Sequence, residues 1–545
     1  MTKSFGAPAL FTLLTAFLAT SVQAIPRITR TGRYLYDESG TRFYIKGIAY
    51  QEQGAVVASD DNPFGEPSTF IDPLALPDAC SRDLPFLQEL GVNTIRVYSV
   101  NSSLNHDACM SAFSAAGIYT IIDLALPLNG SIDRLSPSWS TNILEQYIHT
   151  IDTFSKYDNV LAYNIGNEVV VQETTQVRLT KSKDSSALVG YAAINGASNW
   201  REPLANYLSC DLTGSNSDAT AIDIYGLNDY SWCGDSNFQS SYAGITNAFA
   251  NYNVVAYLSE FGCISSPPRL WTESGALFGS DMNTVWSGGI AFSYFPAQSA
   301  AGQFGMVTVS SDSRTVTTSD DFDRLRTQYG LVTFINSPSQ SSVAAATYPT
   351  CPASTSTFLA SSTLPPTPNE AACNCLESSL SCRFTPATSN YTTVVGELLN
   401  VGCSLLGQSG GSCTEIGGDG QTGVYGRLSG CDPTIKLSYV MSQFYEANDR
   451  NAQSCSFAGN GTVNPLAPSG SASSAASSCI ANPSAVFTPS AVPTTANSGA
   501  SGGATTTGGP GTNTGAAVSL IDTNALLGTG LMAIASVFGA IWTLA

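Results

Sequence analysis

Leu161-Ala162-Tyr163-Asn164-Ile165-Gly166-Asn167-Glu168 reads as a short apolar strand that ends on an Asn-Glu pair. A second run, Val254-Val255-Ala256-Tyr257-Leu258-Ser259-Glu260-Phe261-Gly262, ends in the same way. Each has the length and continuous apolarity of a parallel strand buried on both faces. Each delivers a carboxylate at the strand's C-terminal end, the end at which parallel barrels keep their chemistry. Glu168 and Glu260 lie 92 residues apart, on the fourth and seventh strands of the register below. A closed barrel brings those ends to one face. There one carboxyl can hold a proton while the other stays charged, because two acids in one cleft split their pKa values. That pair is the equipment of glycoside chemistry, and a retaining enzyme needs the two carboxyls about 5–5.5 Å apart.

Outward from these runs, strands alternate with helices. The strands are expected at 43–50, 93–98, 119–124, 161–168, 189–193, 222–227, 254–262 and 289–295, with helices at 80–90, 107–116 and 140–157. Eight strands in about 300 residues predict an α/β fold, a (β/α)8 barrel. An open doubly wound sheet is the competing architecture. It would need a glycine-rich phosphate loop after the first strand, and none is present. Residues 27–45 alternate around a turn at Glu38-Ser39-Gly40 and predict a hairpin ahead of the barrel.

Composition narrows the chemistry. The chain has 545 residues and a formal net charge of −19, which argues against a nucleic-acid partner. Charged residues are only 12% of the chain, roughly half the usual share. Two histidines, His106 and His149, leave little room for a histidine-dependent triad or a His-rich metal site, and no metal or cofactor is expected. Fourteen cysteines without a CxxC indicate a disulfide framework in an oxidising compartment.

The ends of the chain agree. Lys3, an apolar run from Ala9 to Leu18 and a small-x-small site at Val22-Gln23-Ala24 predict a signal peptide over 1–24. The catalytic domain is expected over 25–335, followed by a Ser/Thr/Pro-rich linker at 336–370 pinned by Cys351. A small module stapled by Cys373, Cys375, Cys382, Cys403, Cys413, Cys431, Cys455 and Cys479 occupies 371–480. A Ser/Thr/Gly-rich stalk follows at 481–515. Residues 516–545 have the layout of a removable GPI-attachment signal, with Asn513 as the expected anchor residue. Sequons stand at Asn101, Asn129, Asn390 and Asn460.

Tyr98, Tyr230 and Tyr294 fall at or near strand ends and are candidates to hold the nucleophile's oxygens or stack a sugar ring. Cys233 and Cys263 follow Tyr230 and Glu260 by the same offset, which suits a bridge across the rim of the site. Cys80 and Cys109 sit near the first helix and a βα loop, and Cys210 is left for Cys351.

Tyr163-Asn164-Ile165-Gly166-Asn167-Glu168, Asn228-Asp229-Tyr230-Ser231-Trp232-Cys233-Gly234, Leu258-Ser259-Glu260-Phe261-Gly262-Cys263 and Arg96-Val97-Tyr98 together resemble the fungal cell-wall β-1,3-glucanosyltransferases of glycoside hydrolase family 72. The cysteine-rich segment is similar to that family's appended carbohydrate-binding module. The resemblance implies Glu168 as acid/base and Glu260 as nucleophile. It implies donor contacts from Tyr98, Asp123, Asn167 and Tyr294, and acceptor contacts from Asn195 and Arg201 on the loop after strand five. It implies disulfides 80–109, 210–351, 233–263, 373–431, 375–479, 382–455 and 403–413. It further implies β-1,3-glucan as both donor and acceptor, a monomer, and a GPI-anchored place at the outer membrane face and in the wall. In one departure, Ala125 stands where the family has serine.

Overall fold

The computed structural model describes residues 24–55, 67–127, 131, 138–170, 187–299, 301–386 and 392–484. Most of the expected signal peptide (1–23), the sequons at Asn129 and Asn390, the expected stalk from 485 onward, Asn513 and the expected attachment signal lie outside them. Among the described residues no helix is long and apolar enough to cross a membrane.

Eight parallel strands close into a barrel: β1 (Ile45–Ala49), β2 (Thr94–Val97), β3 (Tyr119–Asp123), β4 (Val160–Asn167), β5 (Leu188–Ile194), β6 (Ile224–Asn228), β7 (Val255–Phe261) and β8 (Trp286–Ala291). Neighbours in sequence are neighbours in the sheet, and β8 pairs with β1 to complete the ring. The strands carry apolar side chains on both faces because each face is covered. Ile45, Ile121, Leu161, Ile224, Val255 and Ile290 belong to the inner cluster. Ile48, Ile95, Ile122, Tyr163, Tyr225 and Leu258 pack outward against the helices. Ile25, Ile28 and Leu35, from the segment that carries the predicted hairpin, join the inner cluster.

The expected elements are all present, with shifted edges. The first barrel helix runs Pro77–Leu90, three residues earlier than expected. Proline fits the first helical position, where no intrahelical N–H is needed, and Gly91 closes the other end with φ 65°. The last strand ends at Ala291, not 295. Beyond it the Phe292 N–H donates to Phe261 and the Tyr294 N–H donates back to Ala49, so the chain leaves the ladder. His106 is enclosed, with Nε2 2.8 Å from Asp72.

Residues 336–370 have a linker's composition but run packed along the barrel. The Tyr44 and Tyr36 hydroxyls donate to the carbonyls of Ile335 and Pro338. Phe358 is buried edge-on against Tyr207, whose hydroxyl donates to Ser361. Polar side chains and proline conceal this from composition, because the strap is held mainly by hydrogen bonds to its backbone. The module beyond it has helices Glu370–Ser379, Thr392–Gln408, Pro433–Ala447 and Ala472–Cys479, with two small cores built around its disulfides. Among the described residues the seven disulfides are 80–109, 210–351, 233–263, 373–431, 375–479, 382–455 and 403–413, the pairing that the resemblance implies.

Barrel and module meet where the Thr141 N–H donates to the Gly430 carbonyl at 3.0 Å. One turn further along helix Thr141–Phe154, Glu145 hydrogen-bonds Glu370, with Asp432 close by. Burial, then the charges of Glu370 and Asp432, push the Glu145 carboxyl up to about 7. A folded-state pKa above the unfolded one means that this contact stabilises fully in acid and fades as the pH rises through about 7. Glu145→Gln keeps a hydrogen-bond donor without the charge. Its melting temperature relative to the parent should therefore rise between pH 5 and about pH 7 and level off above it. A difference that stays constant across that range would show that Glu145 does not carry this pH dependence.

Candidate active site

The site assembles at the C-terminal mouth of the barrel. Tyr98 follows β2, Asp123 ends β3, Asn167 ends β4 with Glu168 next, Asn228 ends β6 with Tyr230 two residues on, and Glu260 is the penultimate residue of β7. The ladder changes register between Asn164 and Asn167 and again between Tyr257 and Glu260. Such irregularities re-aim side chains at the end of a strand. Glu168 takes φ 50°, a left-handed backbone uncommon outside glycine, and its N–H donates to Ala192 at 2.9 Å.

Arg96 is the hub. It stands inside a four-residue strand, is 0% exposed, and spreads its donors over four residues. Nη2 reaches Asp123 Oδ2 at 2.7 Å and Asn167 Oδ1 at 2.8 Å. Nη1 reaches the Ser259 carbonyl at 3.0 Å and Glu260 Oε1 at 3.3 Å. Burial opposes its charge, but Asp123 first, then Tyr98 and Glu260, outweigh that and hold its proton more firmly than usual.

Glu260 is 7% exposed and accepts at both oxygens. The Tyr98 hydroxyl donates to Oε1 at 2.8 Å and the Tyr230 hydroxyl to Oε2 at 2.6 Å. Burial pushes its carboxyl up to about 7, Arg96 pulls it back, the nearby Glu168 charge raises it, and the two phenols lower it. Both tyrosines are held protonated by burial and, further, by Glu260, so they serve as donors. Glu168 Oε1 accepts from Asn228 Nδ2 at 2.8 Å, and Asn228 is the register partner of Glu260 across β6 and β7. The two glutamates thus share one rim and one bridging asparagine.

Not every expected residue opens onto the mouth. Asp123 is 1% exposed, with its oxygens taken by Arg96 and Asn164, so it braces Arg96. Tyr294 is fully buried past the end of β8. Its hydroxyl turns down to Asp83, and its ring packs on Tyr50 and Phe295. Asn195 does follow β5. Arg201, however, lies in the first turn of helix Ser198–Ser209 and not in the loop, donating to Asn195 Oδ1 at 2.6 Å. Asn195 in turn donates to Asp229 at 2.6 Å, beside the site. The 233–263 disulfide ties the loop that carries Tyr230 to the loop that follows Glu260 and its strand. Ala125 is buried.

Four participants had no role assigned from sequence. Phe292 stands edge-on to Tyr98, Tyr230 and Phe304 and confines both phenols. Asn228 and Ser259 belong to quoted motifs, but only the closed barrel shows what they touch. Arg96 carried a readable signal, since a lone cation in an apolar strand demands buried partners.

Comparison with known proteins gives a consistent picture. The glucanosyltransferase family model matches residues 17–333, and the X8 domain model matches residues 380–462. The 1,3-beta-glucanosyltransferase gas1 of Schizosaccharomyces pombe is 40% identical, covering 82% of this chain and 79% of that protein. The 1,3-beta-glucanosyltransferase PGA5 of Candida albicans is 36% identical over 82% of this chain and 72% of its own length. The solved structure of Saccharomyces cerevisiae Gas2p in complex with laminaripentaose superposes with a TM-score of 0.70 at 33% identity, covering 82% of this chain and 99% of that one.

Removing one phenol separates its effect on Glu260 from simple packing. Tyr230→Phe deletes a donor to the charged carboxylate, a contact worth about 1.5–3 kcal/mol. Activity that requires Glu260 ionised is lost as the pH falls through its pKa, so the acid limb of kcat/KM should move to higher pH in the variant. The loss should be about tenfold or more on the acid side. An acid limb that does not move would mean that Tyr230 does not tune Glu260.

Proposed function

The chain belongs to the glucanosyltransferase family, and from that membership together with the geometry of the mouth we propose that it elongates β-1,3-glucan by a retaining double displacement. Glu260 attacks the anomeric carbon of an internal β-1,3 bond as Glu168 gives its proton to the departing oxygen, releasing the reducing-end fragment. The donor half, held on Glu260 through its new reducing end, then passes to the non-reducing end of another glucan. The incoming hydroxyl yields its proton to Glu168, and the bond to Glu260 breaks.

The observation that carries this reading is the unequal treatment of the two acids. Glu260 has a phenol on each oxygen and Arg96 behind it, which suits a carboxylate that must be charged to attack. Glu168 accepts a neutral amide donor on Oε1 and is less buried, which suits an acid that gives and regains a proton. Asn167 presents its oxygen to Arg96 and Asn228, leaving its amide hydrogens for the sugar's 2-hydroxyl. Tyr98 and Tyr230 border the donor sugar. Asn195 and Arg201 lie toward the acceptor. Transfer over hydrolysis requires that a bound acceptor reach the covalent intermediate before water does.

The relatives support the wall-associated part of a wider reading, and the chain's two ends motivate the rest. The protein is a wall-associated extracellular enzyme acting on β-1,3-glucan, with the cysteine-rich module as its carbohydrate-binding part. Signal cleavage before Ile25 and lipid attachment near Asn513 would tether it as a monomer to the outer membrane face.

Incubation with a single laminari-oligosaccharide should produce chains longer than the substrate, resolved by chromatography over time. Products that are all shorter would make it a hydrolase using the same acids. Glu168→Gln and Glu260→Gln should each abolish both outcomes, by about a hundredfold or more. Full activity in both variants would leave glucan binding without catalysis by these residues.

A further inference from the structure

The polarity of the amides around Glu168 is determined by one side chain that can only donate. Arg96 has no acceptor, so the Asn167 atom 2.8 Å from its Nη2 is the oxygen. Asn228 lies 3.1 Å from that same oxygen and must present its nitrogen there. The same nitrogen donates to Glu168 Oε1 at 2.8 Å. The oxygen of Asn228 is thereby turned the other way, onto the Ser259 hydroxyl at 2.7 Å, and Ser259 must donate.

Ser259 is fully buried and directly precedes Glu260. Its carbonyl accepts from Arg96 at 3.0 Å, so both ends of the chain of hydrogen bonds close on the same guanidinium. Gly226 makes the space: a Cβ there would lie 2.5 Å from the Cβ and Oγ of Ser259.

We propose that Asn228 and Ser259 are a positioning pair that keeps Oε1 of Glu168 an acceptor at all times, so that Oε2 is the oxygen that delivers and recovers the transferable proton. Neither residue touches the reacting atoms. Ser259 holds the Asn228 amide in one orientation, and Asn228 holds the Glu168 carboxyl. Without the serine hydroxyl the amide loses the partner of its oxygen, and a flipped amide would set oxygen against both Glu168 Oε1 and Asn167 Oδ1. The inference rests on the reading of Glu168 as acid/base.

The test compares two donors in the full-length chain. One is a laminari-oligosaccharide, whose leaving oxygen needs a proton. The other is a laminari-oligosaccharyl β-fluoride, whose fluoride leaves without one. Asn228→Ala should lose about a hundredfold in kcat/KM on the oligosaccharide and less than about tenfold on the fluoride. Its alkaline limb should move to higher pH, because the donor that favours ionised Glu168 is gone. Ser259→Ala, which removes a single oxygen, should show the same split on a smaller scale and keeps the test open if Asn228→Ala does not fold.

Equal losses on both donors with an unmoved alkaline limb, in whichever variants fold, would overturn the pair as a positioning device. Glu168→Gln tells the two failures apart. If it discriminates between the donors while the Asn228 and Ser259 variants do not, only the pair is wrong. If it too loses equally on both donors, the acid/base reading falls and the pair with it.

Discussion

A single buried guanidinium organises the mouth of this barrel. Arg96 has no exposure to water, and an unpaired charge in that position would be untenable. Asp123 supplies the compensating charge at 2.7 Å, and Asn164 braces Asp123 in turn. The remaining donors of Arg96 reach Asn167, Glu260 and the carbonyl of Ser259. Breaking one partner of such a buried pair typically costs about 3–5 kcal/mol. The chemistry and the integrity of the strand ends therefore rest on the same ion.

The fold explains how so many polar groups gather without dissolving the core. Below the mouth, both faces of the strands are apolar and packed. At the mouth the inner face changes to Arg, Asp, Asn, Tyr and Glu, each positioned as the last residue of a strand or within two of it. The register shifts in β4 and β7 fall directly before Asn167 and Glu260. The 233–263 disulfide then restrains the two loops that carry Tyr230 and the residues after Glu260. Positioning is thus supplied by strand ends and a covalent tie, which lose less precision than free loops.

Outside the barrel, the strap and the module show how weak compositional signals mislead. Residues 336–370 are rich in Ser, Thr, Ala and Pro and read as a spacer. Their backbone nevertheless accepts from the Tyr36 and Tyr207 hydroxyls at Pro338 and Ser361, and Cys351 bonds Cys210. Hydrogen bonds to backbone leave no trace in side-chain composition, so a packed strap and a free linker look alike.

Two apolar runs ending on Glu168 and Glu260, spaced through an alternating pattern of eight strands, were enough to specify a parallel barrel and its acidic pair. Burial on both faces makes such strands continuously apolar, and that property is written in one dimension. Motif resemblance extended the reading to the disulfides, since cysteine pairing is a matter of relatives' geometry and not of spacing. Which polar side chains face the cleft and which face each other was decided only on closure. Tyr98 and Tyr230 rise to Glu260 while Tyr294, equally aromatic and equally close to a strand end, turns down to Asp83. Asp123, also at a strand end, is held by Arg96 and Asn164. Asn228 and Ser259 carry no local mark at all, because a hydrogen bond between residues 31 positions apart exists only when β6 and β7 lie side by side.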